Sequence, residues 1–419
     1  MDTQKFIPFF IVTSIIFLLF DSYFLISWRK FVNERGYNRW VFFSVLILSI
    51  IALIFLGYST YIRLINHSLE NFERIFEYFP AIWYLSKLMI VPFLIFKDIL
   101  KFFKKITKKR IKSTLTQSIP QNTARRKFIQ NTGWVMAGVP FFVITDGLIR
   151  TTNNFKIHYV DIPISKLSSA LNGLKIVQIS DIHAGSFTSA KPLTEVLFLI
   201  ETLQPDITFV TGDFVNFSHK ELQMILPQLK NLHAKHGVYG CLGNHDHYMS
   251  PSDHPSLIQK IQETGINLLI NENITLDIFN EQLQIAGTDN SSYRMTYGDM
   301  NKALSGLKDY LPTVLLCHDP TNWDKEIRRK TFVDLTLSGH THGGQIGIEY
   351  DAMSFSPASL VYKQSAGLYK DKDQYLYVNR GIGTVGPPLR IGIRPEITLI
   401  TLRSVENFAS STSGDPTAS

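Results

Sequence analysis

Five short polar clusters carry the residue types that bind metal ions. They are Asp181-Ile182-His183, Gly212-Asp213, Gly243-Asn244-His245-Asp246, His318 and Gly339-His340-Thr341-His342. Each alone has a plain explanation. An Asp after a strand is usually a helix cap or turn former, a lone His is more often a hydrogen-bonded surface residue than a ligand, and an Asn-His-Asp run can be a polar turn. Their recurrence after successive apolar runs points instead to shared chemistry. In extended chain alternate side chains share a face, so Asp181 and His183 can grip one ion, as can His340 and His342 across a tight turn. Carboxylate, imidazole and amide oxygen together suit divalent ions such as Mn2+, Fe2+ or Zn2+. No thiolate stands among them, which argues against a structural zinc site. Seven candidate ligands (Asp181, His183, Asp213, Asn244, His318, His340 and His342) are too many for one tetrahedral centre and suit two ions that share a carboxylate. Ions about 3.5–4 Å apart stabilise both the attacking and the leaving oxygen of a phosphoryl displacement. Gly212, Gly243 and Gly339 allow the sharp turns and close backbone approach such a site needs.

The elements that must position these clusters are short β-branched runs alternating with amphipathic stretches. Buried strands are predicted over Leu174–Ile179, Ile207–Val210, Val238–Leu242, Leu283–Ala286, Thr313–Cys317 and Leu335–Leu337. Helices are predicted over Lys191–Leu203, Lys220–Leu232 and Pro255–Gly265. The alternation implies an α/β domain with a mostly parallel sheet covered by helices. Later strands over Tyr375–Val378 and Ile397–Leu402 call for a second sheet or a mixed edge. Ligands of open α/β sheets bind beyond the carboxyl ends of the strands, which is where every cluster falls. Cys241 and Cys317 each close an apolar run; two small buried residues at strand ends is the plain reading, and a disulfide needs a geometry that sequence does not show.

The ordered set D-x-H, G-D, G-N-H-D, H and G-H-x-H resembles the calcineurin-like metallophosphoesterase superfamily over roughly Gly173 to Leu402. Its wording, Gly339-His340-Thr341-His342-Gly343-Gly344-Gln345 with the final Gly386-Pro387-Pro388-Leu389-Arg390, is similar to the bacterial branch that is exported by twin-arginine signals or tethered to membrane. The resemblance implies a two-sheet sandwich flanked by helices, with Asp181, Asp213, Asn244 and His340 converging in one crevice. Asp181, His183 and His342 are then expected to hold one metal, Asn244, His318 and His340 the other, and Asp213 to bridge them. A hydroxide between the ions is expected to attack phosphorus, His245 to protonate the leaving oxygen, and Asp246 to orient the His245 imidazole. Beyond the motifs, Arg390 is expected to face the crevice and fork onto a substrate phosphate oxygen. His158, His219, His233, His236 and His254 match nothing in the pattern.

The first third of the 419 residues is a different material. Apolar segments Phe6–Ile26, Trp40–Tyr58, Phe79–Phe96 and Trp134–Ile149 read as four membrane spans. The third is interrupted by Pro92 and carries Lys87, features of an interfacial or re-entrant helix. Between Lys97 and Lys127 eleven Lys or Arg face one acid, so the net +7 of the chain is concentrated here and the remainder is slightly acidic. That excludes the uniformly basic surface of a nucleic-acid binder. Trp28–Arg39 and the run after Lys97 are the basic flanks, which the positive-inside rule puts in the cytoplasm. The N-terminus and everything after the fourth span then lie outside it. Thr123-Ala124-Arg125-Arg126-Lys127-Phe128-Ile129 also resembles a twin-arginine export signal, at an internal position.

The domains expected are thus a membrane anchor over 1–150, with its basic segment near 97–127, a catalytic domain over 154–403 and a disordered tail over 404–419. The function expected is a metal-dependent phosphoesterase, tethered in a cell membrane with its catalytic domain outside the cytoplasm. Its partners are the lipid bilayer and a phosphorylated small-molecule or lipid-linked substrate. A metal-holding sensory module without turnover is the alternative, and a transporter with an appended domain has little support, since few charges, Lys87 and Asp146 among them, fall within the spans.

Overall fold

The computed structural model describes residues 3–66, 75–111, 138–292, 295–350 and 353–405. They fall into two compact units, Asp2–Leu148 and Ile149–Ser419.

The first unit consists of helices α1 (Thr3–Arg35), α2 (Trp40–Asn66), α3 (Ile75–Ile111) and α4 (residues 138–149). Among the described residues, three stretches are long and apolar enough to cross a membrane: Ile11–Arg35, Trp40–Ile62 and Ile75–Ile106. The expected fourth span begins in residues outside those described, as do the Arg125-Arg126 pair, the later part of the basic segment and most of the tail. The interruption expected at Pro92 is absent. Helix α3 runs continuously through both Pro80 and Pro92, because a proline removes one backbone donor and neighbouring helices can accommodate the carbonyl it frees. Lys87 is fully buried inside the unit. Its ammonium pairs with Asp21 of α1 and lies 3.9 Å from the Trp83 ring centroid. Ser49 of α2 donates to the same Asp21 carboxylate at 3.0 Å. An apolar segment tolerates this charge because it is paired and hydrogen-bonded.

The second unit is a sandwich of two six-stranded mixed sheets. Strands β1 (Lys156–Ile164), β14 (Glu396–Ser404), β2 (Lys175–Ile179), β3 (Ile207–Thr211), β4 (Val238–Cys241) and β5 (Ile266–Leu268) form the first, in that spatial order. The second runs β12 (Gly367–Asp371), β13 (Gln374–Val378), β9 (Leu335–Ser338), β8 (Thr313–Leu316), β7 (Glu281–Gly287) and β6 (Glu272–Ile278). A separate hairpin pairs β10 (Ile348–Tyr350) with β11 (Met353–Phe355). Successive residues of a strand face opposite ways, and both faces are covered. Ile176, Phe209 and Cys241 point into the core between the sheets, against Ile285, Leu316 and Leu337. Val177, Ile179 and Val210 point the other way, onto Val196 and Ile200 of helix α5 (Lys191–Leu203) and Leu257 and Ile261 of helix α7 (His254–Gln262). That double burial explains why the central strands read as unbroken apolar runs.

The helix expected over Lys220–Leu232 is instead a 3-10 turn, His219–Met224, followed by the four-residue α6, Leu226–Leu229. Pro227 lacks the N–H that a helix continuing from the preceding turn would need, though it fits the first turn of α6, and the Glu221 carboxylate is recruited by the neighbouring loop. Both cysteines are buried free thiols.

Candidate metal centre

Strands β2, β3, β4, β8 and β9 each end in one of the polar clusters. The turns there are so tight that Asp181, His183, Asp213, His340 and His342 all adopt left-handed backbone, with φ between 44° and 71°. Such residues cost of order 1–3 kcal/mol each and persist only where the surroundings enforce them. Gly339 is required by close approach, since a Cβ there would collide with Ser180 Oγ and Asp181 Oδ2.

Three overlapping groups of ligand atoms result: Asp181, His183 and His342; His183, Asp213 and His245; and Asp213, His318 and His340, the atoms of each group within 4.8 Å of one another. His183 Nε2 lies 3.1 Å from His342 Nε2, and Asp181 Oδ1 lies 3.8 and 3.3 Å from those two nitrogens. Asp213 Oδ2 is 3.5 Å from His183 Nε2 and 3.1 Å from His318 Nε2, so this carboxylate reaches both sides. Each inward oxygen or nitrogen is aimed by a contact at the other end of its group. Asp181 accepts the His340 amide at 3.0 Å, and Asp213 Oδ1 accepts the His245 amide at 2.8 Å. His318 Nδ1 donates to the Thr211 carbonyl at 2.7 Å, which frees Nε2 for the cluster. Asn244 Nδ2 donates to Tyr248 Oη at 2.8 Å, and its Oδ1 is buried without a hydrogen-bond partner. Opposed nitrogens and an orphaned amide oxygen among carboxylates are what a cation site needs, so the residues present fit divalent ions.

The electrostatics agree. Burial alone would raise Asp213, but His318, His245 and His183 hold it well below the ordinary carboxylate range. Burial would lower His318, yet the Asp213 charge raises it to about 10. Burial pushes His245 down to about 4 despite the Asp213 charge.

Residues 174–344 match the family described as calcineurin-like phosphoesterase, and residues 5–152 match one described as "Probable Calcineurin-like phosphoesterase, transmembrane domain". The metallophosphoesterase YkuE of Bacillus subtilis is 33% identical over 247 residues, which cover 57% of this chain and 82% of the relative. The chain belongs to the calcineurin-like metallophosphoesterase family. A "Transmembrane protein with metallophosphoesterase domain" of Danio rerio is 31% identical over 61% of this chain, and the match spans 59% of that longer relative. The phosphodiesterase YaeI of Escherichia coli is 27% identical over 54% of this chain and 82% of its own.

Around the ligand atoms of this metallophosphoesterase stands a set of residues that the motifs did not announce. Asn216 serves two histidines: its Oδ1 meets His183 Nδ1 at 3.0 Å, and its backbone carbonyl accepts from His245 Nδ1 at 2.9 Å. Glu221, nearly buried, accepts the amides of Gly185, Asn216, Phe217 and Ser218 and so pins that loop. Tyr362 Oη lies 3.2 Å from His340 Nε2. An Asn three residues beyond Gly212-Asp213 was the available signal for Asn216; Tyr362 lies in a segment without periodicity and had none.

Two expected roles are corrected. Asp246 does not hydrogen-bond the His245 imidazole, whose Nδ1 is taken by Asn216; its oxygens accept the amides of Asp213, Phe214, Val215 and Gly243. It clamps the two metal-site loops together, and the Asn216 carbonyl orients His245. Arg390 does not face the crevice. It is fully buried behind His342, with Nη2 donating to the carbonyls of Arg380, Gly381 and Gly383 at 2.9, 3.0 and 2.6 Å. The turn after Gly386 folds inward, so this guanidinium ties the C-terminal loop beneath the site.

Proposed function

We propose that this chain hydrolyses a phosphate ester at a membrane. Asp181, His183 and His342 would hold one divalent ion, Asn244, His318 and His340 a second, and Asp213 would be shared. The observation that carries this reading is Asn244 Oδ1, a buried amide oxygen left without a hydrogen bond in the midst of the carboxylate–imidazole cluster. Leaving a buried polar atom unsatisfied costs about 1–3 kcal/mol, which a cation would relieve. When bound, the ions supply Lewis-acid charge for the phosphoryl oxygens and lower the pKa of water.

The chain's own groups do the rest. His245, anchored through Nδ1, turns Nε2 toward the cluster; burial keeps it neutral in the empty site, and the negative charge of a bound phosphate would favour the imidazolium that hands a proton to the leaving oxygen. Phe217 and Tyr248 pack beside its ring, with centroids 5.9 and 4.5 Å away, and limit water on that side. A phosphomonoester, a phosphodiester and a pyrophosphate share this chemistry. The Escherichia coli relative is named a phosphodiesterase, so a diester is the first bond to test. The basic flanks support an inner-membrane protein with its phosphoesterase unit outside the cytoplasm. A sensory module without turnover is disfavoured by the presence of His245.

The test uses full-length protein in detergent, stripped by chelator and reloaded with Mn2+, Fe2+ or Zn2+. Hydrolysis of bis(p-nitrophenyl) phosphate should vanish on stripping and return on reloading, and Asn244→Ala should lower bound metal measured by plasma emission. His245→Ala should keep its metal and lose roughly 10²–10⁴ in rate. Undiminished turnover by the metal-free protein would sink the proposal.

A further inference from the structure

Around the mouth of the site, apolar side chains stand in solvent. Ile348 and Phe355 are 71% and 65% exposed. They are directly opposed across the β10–β11 hairpin, so they share one face. Leu360 and Val361, each 78% exposed, follow at the end of the 3-10 turn Pro357–Leu360. Ile346, 42% exposed, and Val385, 36% exposed, complete the rim. The Gln345 side chain joins these last two, accepting from the Val385 amide at 2.7 Å and donating to its carbonyl at 3.1 Å. Scattered exposed apolar residues need no explanation, but a contiguous set is the mark of an interaction surface.

The rim is wired to the metal cluster. Tyr362 follows Val361 directly, and its hydroxyl reaches His340. It is also wired to the point where the chain enters this unit. Helix α4 ends at residue 149, and Thr152 Oγ1 already donates to the Pro388 carbonyl, in the Val385 loop, at 3.0 Å. Lys156, at the start of β1, pairs with Glu349 of the hairpin at 2.7 Å. The match to a transmembrane domain runs to residue 152. The helices that precede this entry point match a transmembrane domain, so a bilayer is the apolar phase that this chain brings with it.

We infer that the rim formed by Ile348, Phe355, Leu360 and Val361 dips into the headgroup–acyl boundary of the chain's own membrane and presents the metal cluster to phosphate esters carried on lipid headgroups. The lipid half stands on the rim alone. The substrate half rests on the phosphoesterase reading above. Apolar side chains at such a boundary bind in proportion to the area they bury, so a lipid-borne phosphate would meet the site already confined near it.

Two measurements separate those halves. Because Cys241 and Cys317 are buried, an environment-sensitive fluorophore can be placed on Leu360→Cys of the full-length protein. The control site is Phe279→Cys, 59% exposed and at the opposite end of β7 from the cluster. In vesicles of phosphatidylcholine and phosphatidylglycerol, lipid-attached quenchers should act about fivefold more strongly at 360 than at 279. Equal quenching overturns the inference. So does a Leu360→Cys signal that responds to protein concentration in lipid-free detergent, because a second copy would then cover the rim. For the substrate half, Leu360→Ser/Val361→Ser should hydrolyse a diacylglycerol-borne phosphate ester in those vesicles about tenfold more slowly than wild type. Its rate on soluble bis(p-nitrophenyl) phosphate should be unchanged. Unchanged rates on both substrates, or equal losses on both, overturn that half. Wild type that hydrolyses neither substrate refutes the phosphoesterase reading, and the quenching result then decides the lipid contact alone.

Discussion

Replacing Asp246 with asparagine tests whether it acts as a backbone clamp or as a partner of His245. Its Oδ2 accepts from Asp213 N and Gly243 N at 2.9 Å each, and its Oδ1 from Phe214 N at 2.8 Å and Val215 N at 3.3 Å. Asparagine keeps one oxygen and turns an NH2 group toward the other two amides. Two buried donors then face a donor. At about 1–3 kcal/mol for each unsatisfied group, the loss is roughly 2–6 kcal/mol, reduced in part because burial and the nearby Asp213 charge already push the Asp246 carboxyl up to about 7. For a domain of this size each kcal/mol shifts Tm by about 2–4 °C, so melting in detergent should fall by about 10 °C. The same two loops carry Asp213 and Asn244, so metal content should drop in parallel. A partner of His245 would behave differently, with slowed turnover but intact melting and metal. That second pattern in Asp246→Asn would refute the clamp.

Glu396 is fully buried and accepts from Tyr377 Oη at 2.7 Å, Thr398 Oγ1 at 2.6 Å and Arg380 Nη1 at 2.6 Å. Burial would raise its carboxyl, but Arg380 and these donors hold it at about 2 against an ordinary 4.5. At 1.36 kcal/mol per pH unit that is about 3 kcal/mol of stability. A depressed carboxylate contributes fully above its unfolded value, so wild type should lose its advantage over Glu396→Gln as pH falls from about 4.5 to about 2; an advantage constant through that window in denaturant titrations would contradict this. For topology, a reporter fused after Arg403 should behave as extracytoplasmic and one inserted near Lys112 as cytoplasmic, and the reverse pattern would overturn the charge argument.

What was legible in the sequence follows from what is local. The five clusters stood out because each joins an apolar strand to residues with few other reasons to be there, and helix α5 appears at the limits its periodicity set. Strands β1 and β6 escaped notice: β6 is an exposed edge, and β1 pairs in parallel with β14, some 240 residues away along the chain. The two misjudged roles share a cause. The family resemblance implied that Asp246 serves His245, but a short turn points successive side chains in different directions, and the backbone amides of a loop about 30 residues upstream claimed the carboxylate. Arg390 was assigned by chemical type, as a guanidinium near a phosphate site, whereas its position was decided by unfilled carbonyls at residues 380, 381 and 383. The candidate ligands are therefore written in residue type at strand ends. The supports that aim those ligands, Asn216, Glu221, Asp246 and Arg390, act largely through backbone groups, which every residue possesses and no motif can spell.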